Sequence, residues 1–467
     1  MSKIETLIKT KKAKIAVVGL GYVGLPLAVA FAERGFRVFG FDVQKKKVDQ
    51  VNQGKSYIED IKSADLAKVV KSKPSTTFPR KVVLGKRLSA TTDKKILGEA
   101  DVIIICVPTP LDKYHQPDIS YIESVTQNIA QFLKKGQLII LESTTYPGTT
   151  REVILPFLEK TGLKVGRDFF LAFSPERIDP GNKKYNVKNI PKVVGGITPK
   201  CTKSAALLYR TITNKVMTVS SPEVAEMTKL LENIFRLVNI SMIYELALLC
   251  DKMKIDIWEV IEAAKTKPYG FMPFYPGPGC GGHCIAIDPF YLLWKAKEYG
   301  FYARFIELAG QINEQMPHYV VTKIIFGLNK NKKSVKGSKI LIWGISYKKD
   351  IADTRESAAY PIISDLLRKG AEIDYFDPYT KEFKISAEGG SPPKDGHSAS
   401  LAGQAGGDGK ILKSIKYNPK ILKNYDCVLI LADHSGFNYD EIAKSSKLVV
   451  DTRNAIKTRE YKNVLWL

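Results

Sequence analysis

The chain has 467 residues, of which 44% are hydrophobic and 25% are charged, which predicts two or three globular domains. Lys and Arg number 71 against 48 Asp and Glu, so the formal charge is +23, but the basic residues form scattered clusters rather than one stripe. This pattern argues against a nucleic-acid partner and is compatible with an anionic substrate. No signal region, no membrane-length apolar run and no disulfide framework is visible, so we expect a cytoplasmic location.

The N-terminal part reads as a strand, a glycine-rich turn, a helix and a second strand. Lys14 to Val18 and Arg37 to Phe41 are apolar runs typical of buried parallel strands, and Leu25 to Arg34 predicts a helix. The turn carries the G-x-G-x-x-G motif formed by Gly19, Gly21 and Gly24. In that order, these glycines permit a tight turn, close approach of a pyrophosphate to the backbone, and close packing of the helix on the sheet. The series indicates a dinucleotide-binding domain.

Asp42 indicates which dinucleotide cofactor the domain binds. It follows the second strand, where a carboxylate accepts hydrogen bonds from a ribose diol. The same charge would repel a 2′-phosphate, so the pattern predicts NAD rather than NADP. Lys45 to Lys47 lie close by in the sequence, and their charge could weaken this preference.

Two further predicted strands, Asp101 to Val107 and Gln137 to Glu142, end in polar or turn residues. Ligands of open parallel sheets bind beyond the carboxyl ends of the strands. Thr109 and Thr144 are therefore candidates for the cofactor crevice, although each could simply form a strand cap or turn. After the strand Phe170 to Phe173, the next such end holds a glutamate and an arginine.

That glutamate, Glu176, could act as a base or position a water molecule, and Arg177 could contact an anion. A long helix then begins at Ser221 and continues without Gly or Pro to about Met253. A helix of this length commonly bridges domains or forms a dimer interface. It carries basic and amide residues on one side, namely Lys229, Asn233 and Arg236. They would suit an oxyanion or phosphate, although a solvated helix face fits the same spacing.

Tyr275 to Asp288 reads YPGPGCGGHCIAID, and its glycines and prolines predict a loop. Within it, Cys284 follows His283 and precedes Asp288 by four residues. Because a thiolate is a strong nucleophile, Cys284 is a candidate catalytic group; the alternative is a small buried hydrophobe. A metal site that also uses Cys280 fits neither haem attachment nor zinc spacing, so no metal is predicted.

Three more helices are predicted, at Ile257 to Thr266, Pro289 to Tyr299 and Phe305 to Asn329. After a basic linker at 330–339, the strand Lys339 to Trp343 begins a second strand, loop and helix unit that lacks the glycine motif. Its loop contains Lys348, which could bind a diphosphate. The later strands of this unit are predicted at Glu372 to Phe376, Asp426 to Leu431 and Lys447 to Asp451. Glu388 to Gly409 reads as a flexible surface loop.

Several segments, taken in order, resemble the UDP-glucose/GDP-mannose (nucleotide-sugar) dehydrogenase family over nearly the whole chain. They are GLGYVG, VPTP, STTYPG, SPERIDPG, EVAEMTKLLEN, GPGCGGHC, SYKKDIADTRES and VVDTRN. The variants SPER, GGHC and IDP resemble the branch that acts on UDP-N-acetylhexosamines. KPYGFMPFYPGPG is most similar to the UDP-N-acetylglucosamine 6-dehydrogenases, with UDP-N-acetylmannosamine and UDP-glucose as alternative substrates.

The resemblance implies a four-electron oxidation of sugar C6 that feeds polysaccharide biosynthesis. Two hydrides pass to two NAD molecules, and Cys284 holds the intermediates as a thiohemiacetal and then a thioester, which water hydrolyses to the carboxylate. The catalytic residues it implies are Cys284, Lys229, Asn233, Asp288, Glu176 and Thr144. The cofactor-binding residues are Gly19, Gly21, Tyr22, Val23, Gly24, Asp42, Lys47, Thr109, Thr144 and Arg355. The substrate-binding residues are Glu176, Arg177, Ile178, Lys229, Asn233, Arg236, Tyr275, Gly281, Tyr347 and Lys348.

We therefore predict an α/β fold with two Rossmann-like doubly wound parallel-sheet domains, joined by a long central helix and a helical middle domain. The boundaries are 1–215 for the NAD-binding domain, 216–330 for the central helical domain and 331–467 for the UDP-sugar-binding domain. A homodimer or larger homo-oligomer is expected, without membrane or nucleic acid. Two other classes are alternatives to this interpretation: a two-electron dehydrogenase of the hydroxyacid or phosphogluconate type, and a cofactor-binding regulator or nucleic-acid protein that uses the positive charge.

Overall fold

The computed structural model describes residues 2–58, 60–70, 87–112, 116–178, 185–385 and 410–467, with only the backbone at 283, 284 and 286. The chain folds into two compact units. The first comprises Met1–Glu232 and Phe290–Tyr299, and the second comprises Asn233–Pro289 and Gly300–Leu467. The finer division into three domains at 215/216 and 330/331 stays a prediction. The predicted flexible loop at 388–409 lies outside the described residues.

The first unit is built on a mostly parallel sheet. Its strands are β1 (Lys14–Val18), β2 (Arg37–Phe41), β3 (Leu88–Thr91), β4 (Val102–Ile105), β5 (Leu138–Leu141), β6 (Phe170–Phe173), β7 (Lys192–Gly196) and β8 (Val216–Thr218). In the described part of the unit, the eight strands lie in the order β3-β2-β1-β4-β5-β6-β7-β8. The β1 strand pairs with both β2 and β4, so the strand order reverses there, as in doubly wound nucleotide-binding sheets. One pair, β6 with β7, is antiparallel.

Helices flank this sheet because its central strands are mostly apolar and buried and need cover on both faces. They are α1 (Lys3–Lys9), α2 (Gly24–Glu33), α3 (Lys45–Gln53), α4 (Ser63–Val70), α5 (Ile96–Glu99), α6 (Ser120–Phe132), α7 (Leu155–Glu159) and α8 (Pro199–Tyr209). A π-helical turn, Thr149–Ile154, leads into α7. The predicted strand, glycine turn, helix and strand series is confirmed, with α2 beginning at Gly24.

The predicted long helix is α9 (Pro222–Met253), and the Ser221 hydroxyl accepts a hydrogen bond from Val224 N at 3.4 Å. It is followed by α10 (Ile257–Ala264), α11 (His283–Glu298) and α12 (Arg304–Lys330). By length and apolar composition alone, α9 could cross a membrane, but long helices of water-soluble proteins meet the same criterion. It also buries Glu226 and Lys229, which are costly in lipid. The expectation of no membrane span stays a prediction.

The loop predicted from Tyr275 to Asp288 is wrong over its last six residues, because α11 already begins at His283. The glycines and prolines that break regular structure end at Gly282. The following turn can form a helix because it buries Ile287 and Asp288, and Pro289 is tolerated inside α11. Cys284 therefore lies in the first turn of a helix rather than in a loop.

The second unit contains the other parallel sheet. Its strands and those of a small hairpin are β9 (Lys339–Trp343), β10 (Glu372–Phe376), β11 (Glu382–Ile385), β12 (Lys410–Lys413), β13 (Cys427–Ile430), β14 (Val449–Asp451) and β15 (Val464–Trp466). Among the described residues, the sheet order is β10-β9-β13-β14-β15, and β11 pairs with β12 in an antiparallel ribbon. The helices α13 (Ala359–Arg368) and α14 (Tyr439–Ser445) and a 3₁₀ turn, Pro419–Asn424, complete the unit.

The second sheet confirms the predicted α/β fold with two parallel sheets and a helical region between them in the sequence. The β15 strand was not predicted, because three residues are too short for a reliable periodic pattern. The two sheets provide two carboxyl edges, one in each unit, and ligands of such sheets bind at these edges.

Candidate functional site

The glycine motif of the first unit has the geometry expected of a dinucleotide corner. Gly19 has a φ of +89°, and its N–H donates to the Phe41 carbonyl at 2.8 Å. A Cβ at Gly24 would lie 1.8 Å from the Gly19 carbonyl oxygen, so α2 can pack this closely only without a side chain. A Cβ at Gly21 would meet nothing within 4 Å, which leaves open space beside the turn. The three positions fit the tight turn, the ligand approach and the helix packing of a dinucleotide site.

Asp42 closes this corner. Its Oδ2 accepts from Leu20 N and its Oδ1 from Gln44 N, each at 2.9 Å, and the side chain is buried. The Lys47 ammonium lies 3.8 Å from Oδ2. A carboxylate has about four acceptor positions, so two backbone bonds leave capacity for a ribose hydroxyl. The positive charge of Lys47 partly offsets the negative charge of Asp42.

The segments after β4 and β5 hold the two predicted threonines. Thr109 is almost fully buried, whereas Thr144 is partly exposed. The Tyr291 hydroxyl donates to the Pro110 carbonyl at 3.0 Å, so the second half of α11 fixes the segment next to Thr109. Both threonines therefore lie beyond the carboxyl ends of strands, as predicted, and their contacts with a cofactor stay predictions.

Glu226 binds the segment that follows Thr144, and the sequence pattern assigned it no role. It is fully buried on α9, and its carboxylate accepts from Gly148 N at 2.6 Å, Thr150 N at 3.0 Å and Thr150 Oγ1 at 2.7 Å. Burial raises the pKa of Glu226 to about 7, although these hydrogen bonds act in the opposite direction. The residue ties the start of α9 to the segment that follows Thr144.

Glu176 is held as an ionised carboxylate. Its Oε1 accepts from Arg177 N at 2.6 Å and Ile178 N at 2.8 Å, and its Oε2 accepts from the Lys192 ammonium at 3.0 Å. Burial acts to raise the pKa of Glu176, but the charge and hydrogen bond of Lys192 and the two backbone bonds outweigh it and lower that pKa. The Arg177 guanidinium pairs with Glu232 at 2.6 Å, so its predicted anion contact would compete with this ion pair.

In the second unit, α9 and α11 bring two predicted catalytic residues together. Asn233 Nδ2 donates to Asp288 Oδ2 at 2.5 Å, and both side chains are buried. Cys284 lies one helical turn before Asp288, and its side chain lies outside the described residues. Lys229, one turn before Asn233 in α9, is also buried, and within the described part of the chain no hydrogen bond or ion pair engages its ammonium. Arg236 is exposed.

The segment before Cys284 packs on the loop at 346–357. Gly282 N donates to the Arg355 carbonyl at 3.0 Å. A Cβ at Gly281 would lie 2.5 Å from Tyr347 Cβ and 2.7 Å from the Glu356 carbonyl oxygen, so only glycine permits this approach. Two loops that the sequence singled out separately, GPGCGGHC and SYKKDIADTRES, thus form one surface.

Arg453 connects the same two loops and was not assigned a role from the sequence. Its Nε donates to the Leu431 carbonyl at 2.7 Å and its Nη2 to the Tyr347 carbonyl at 3.4 Å. A Cβ at Gly277 would lie 2.9 Å from its Nη1. Its position directly after β14 was the available signal, because strand ends of this kind commonly carry ligand-binding residues.

Cys280 lies four residues before the candidate nucleophile. Burial raises the pKa of Cys280 to about 11, and its backbone N–H donates to Asn313 Oδ1 at 2.6 Å. A thiol with this pKa stays protonated near neutrality and is a poor nucleophile. Tyr275, a predicted substrate contact, stacks on Trp258 with centroids 5.8 Å apart and donates its hydroxyl to Glu262 at 2.9 Å.

The second unit repeats the backbone arrangement of the dinucleotide corner without its glycine motif. Gly344 has a φ of +76°, its N–H donates to the Phe376 carbonyl at 2.8 Å, and Ile345 N donates to Asp377 Oδ2 at 2.9 Å. His434 Nε2 lies 3.1 Å from the same oxygen, and the His434 Nδ1 accepts from Asp350 N at 3.0 Å. In the second unit, the buried imidazole of His434 therefore contacts Asp377, the counterpart of Asp42. In the first unit, Asp42 keeps acceptor capacity for a ribose hydroxyl.

The contacts of this buried pair also favour the ionised form of Asp377. Burial acts to raise the pKa of Asp377, but the hydrogen bond from His434 and those from the backbone outweigh it and lower the pKa. Because Asp350 lies in the loop that carries Tyr347 and Lys348, the pair anchors the predicted substrate-binding loop to the sheet.

The fold and the site define an α/β protein with a dinucleotide-binding corner, and comparisons with known proteins identify its family. Residues 13–213 match the NAD binding domain of the UDP-glucose/GDP-mannose dehydrogenase family, residues 223–315 its central domain and residues 341–458 its UDP binding domain. The chain belongs to the UDP-glucose/GDP-mannose dehydrogenase family. It is thus an NAD-binding nucleotide-sugar dehydrogenase with a UDP-binding domain.

Individual relatives carry different substrate names. UDP-N-acetyl-D-glucosamine 6-dehydrogenase of Pseudomonas aeruginosa is 38% identical over 82% of this chain and 87% of its own length. UDP-N-acetyl-D-mannosamine dehydrogenase of Methanococcus maripaludis strain C7 is 32% identical over 96% and 94%. The solved UDP-D-ManNAc dehydrogenase of Pyrococcus horikoshii superposes with a TM-score of 0.82 at 31% identity and covers 97% of this chain and 98% of its own.

Proposed function

We propose that this protein is an NAD-dependent UDP-N-acetylhexosamine 6-dehydrogenase, with UDP-N-acetylglucosamine as the preferred substrate. The proposed reaction is the four-electron oxidation of sugar C6 to the uronic acid through a covalent intermediate on Cys284. The relatives named for UDP-N-acetylglucosamine support this substrate, and those named for its manno epimer are the reason to test both.

The residues present fit NAD. Gly19 and Gly24 bring α2 close to the sheet, Gly21 leaves open space at the helix N-terminus, and Asp42 retains acceptor capacity for a ribose. The open space and the amino end of α2 would receive the pyrophosphate, where backbone N–H groups and the helix dipole favour anions. When bound, NAD supplies the hydride acceptor for each of the two oxidations.

The observation that carries the proposal is the buried Asn233–Asp288 hydrogen bond at 2.5 Å, one turn from Cys284. In the proposed chemistry, the Cys284 sulfur attacks the C6 aldehyde, a C–S bond forms, and the carbonyl oxygen gains the negative charge. Lys229 and Asn233 would stabilise this oxyanion by charge and by N–H donation. Asp288 would orient the Asn233 amide and exchange protons with the reacting oxygen.

Hydrolysis completes the proposed reaction. A water molecule adds to the thioester carbonyl, the C–S bond breaks, and Cys284 leaves as the thiolate while the product becomes a carboxylate. An ionised Glu176 with a lowered pKa suits orienting this water more than strong general-base chemistry. Thr144 would assist at the same edge of the first sheet.

The UDP group would bind the loop at 346–357. Tyr347 and Lys348 lie in that loop, and Gly281 and Gly282 pack against it directly before α11. A diphosphate is matched by lysine as a compact charge and by backbone N–H groups. The expected contacts of Arg355 with the cofactor and of Arg177, Ile178 and Tyr275 with the substrate remain part of this proposal.

The decisive experiment combines a substrate panel with NADH stoichiometry. We expect the highest kcat/KM with UDP-N-acetylglucosamine and two NADH formed per sugar oxidised. Cys284→Ser should stop at or near the aldehyde stage, whereas Cys250→Ser, a half-buried thiol on α9, should retain two NADH per sugar. One NADH per substrate in the wild type, or full stoichiometry in Cys284→Ser, would contradict the thioester route.

We also propose that α9 forms a homodimer interface. Large apolar side chains recur along it at helical spacing and are exposed in the single chain: Val224, Met227, Leu231, Phe235, Met242, Leu246, Leu249 and Met253. A stripe of this length on one helix matches a second copy of the same helix. Leu249→Glu should shift the mass measured by light scattering to the monomer, and the exposed control Lys252→Glu should not. A wild-type monomer at micromolar concentration would refute the interface.

A further inference from the structure

Lys192 lies between two buried carboxylates in the first unit. Its ammonium is 3.1 Å from Glu142 Oε2 and 3.0 Å from Glu176 Oε2, and the three side chains are at most 9% exposed. The Tyr209 hydroxyl donates to the other oxygen of Glu142. Cys106, directly after β4, is buried beside the same groups.

The sheet topology explains how these groups meet. Glu142 directly follows β5, and Glu176 follows β6 by a few residues, so both lie at the carboxyl edge of the sheet. The antiparallel β7 strand pairs Gly195 with Phe173, which places its first residue, Lys192, beyond the end of β6. A parallel strand in this position would have brought its last residues to this edge instead.

We propose that Lys192 is a positioning residue that holds Glu176 in its reactive state, and that Glu142 in turn holds Lys192. This inference rests on the proposed function, because it takes Glu176 as the carboxylate that orients the hydrolytic water.

The count of acceptor positions gives the physical reason. A carboxylate offers about four acceptor positions. Two backbone N–H groups occupy Oε1 of Glu176 and Lys192 occupies one position on Oε2, which leaves a single acceptor in a fixed direction. Without Lys192, a buried carboxylate would take up a proton, and a protonated oxygen could no longer accept from water.

Among the described residues, Lys192 is the cation that lies beside the Glu176 carboxylate. Burial raises the pKa of Cys106 and of Tyr209, so both stay neutral near pH 7. Burial also raises the pKa of Glu142, in spite of the opposing charge of Lys192. The pKa values of the two carboxyl groups are thus shifted in opposite directions, and the contacts of Glu176 favour its ionised form.

The test uses the whole enzyme in two pairs of variants. Glu142→Gln keeps the Lys192–Glu176 ion pair, and Lys192→Met combined with Glu142→Gln removes the cation without leaving two uncompensated carboxylates. We expect the double variant to lose about 10- to 100-fold in kcat at pH 7 and to gain an acid limb in kcat between pH 6 and 8. The KM for the UDP-sugar should change less than threefold. Glu142→Gln and Lys192→Arg should show smaller losses and no acid limb.

The reaction step that slows in the double variant distinguishes a positioning role of Lys192 from general damage to the enzyme. The first hydride transfer, measured as a rapid burst of NADH, should stay within about threefold of the wild type in the double variant, while steady-state turnover slows. A flat pH profile with wild-type kcat in the double variant would overturn the role of Lys192. If that variant does not fold, Lys192→Arg decides, because a new acid limb there would also overturn the proposal.

Failure of the proposed function would look different. Glu176→Gln should slow hydrolysis and leave the burst; if it leaves turnover unchanged, Glu176 is not the water-orienting group, whatever Lys192 does. If Glu176→Gln slows turnover but removal of Lys192 changes neither kcat nor its pH profile, then the proposed function stands and the inference about Lys192 is wrong.

Discussion

Substituting each of two neighbouring glycines by alanine should separate cofactor binding from folding in the first unit. A Cβ at Gly24 would lie 1.8 Å from the Gly19 carbonyl oxygen, whereas real Cβ contacts essentially never fall under 3.0 Å. Because that neighbour is backbone, α2 or the turn must move by about 1 Å. We expect Gly24→Ala to destabilise the unit by at least about 1–3 kcal/mol.

For Gly21→Ala we expect the opposite result, which is a stable fold with weaker NAD binding. The added methyl meets no protein atom within 4 Å, and the φ of Gly21 is not positive, so alanine fits the folded chain. Reduced freedom of the unfolded chain should stabilise the fold by about 0.4–1 kcal/mol. The same methyl would occupy the space expected for the pyrophosphate and should weaken NAD binding by about 10- to 100-fold, or about 1.4–2.8 kcal/mol.

Thermal unfolding and NAD titration by calorimetry measure the two effects on the same samples. We expect a lower melting temperature for Gly24→Ala, and an equal or higher one with weaker NAD binding for Gly21→Ala. Wild-type NAD affinity in Gly21→Ala would refute the placement of the pyrophosphate. A stable Gly24→Ala protein would refute the packing argument.

Two other buried groups give predictions about stability. The pKa of Glu226 is raised to about 7 in the folded protein, so its protonated form stabilises the fold below pH 4.5. This stabilisation is lost as the pH rises through 7. Urea unfolding should therefore show a loss of about 3 kcal/mol in the free energy of unfolding, and Glu226→Gln should lack this loss. An equal pH slope in both proteins would contradict this linkage. His434→Ala should destabilise the second unit by about 3 kcal/mol, because it leaves Asp377 and the Asp350 N–H without their buried partner. It should also raise the KM for the UDP-sugar without changing NAD affinity, and the exposed control Lys416→Ala should cost less than about 1 kcal/mol. A wild-type KM in His434→Ala would refute the anchoring of the loop at 346–357.

Local pattern was sufficient for much of the first unit and for α9. Gly19, Gly24 and Asp42 were predicted because a tight turn, a close helix and a ribose acceptor each require one residue type at a fixed place in a short segment. The start of α9 follows from its capping residue, and its extent follows from the absence of Gly and Pro. These features depend on residues that are close together in the sequence, so a local pattern is enough to predict them.

Other features depend on residues far apart in the chain. The local pattern predicts a loop where the first turn of α11 forms, because the packing that buries Asp288 against Asn233 joins positions 55 residues apart. His434 and Asp377 are separated by 57 residues, and nothing near either one indicates the other.

The sequence by itself determined the family, the NAD-binding corner, the two parallel sheets and the order of the candidate catalytic segments. Only the tertiary structure decided that Lys192 reaches both Glu142, 50 residues away, and Glu176. It also decided that burial raises the pKa of Glu142, whereas the contacts of Glu176 lower its pKa. The physical reason is that ionisation inside a protein depends on burial and on partners brought together by the sheet, and a linear pattern contains neither.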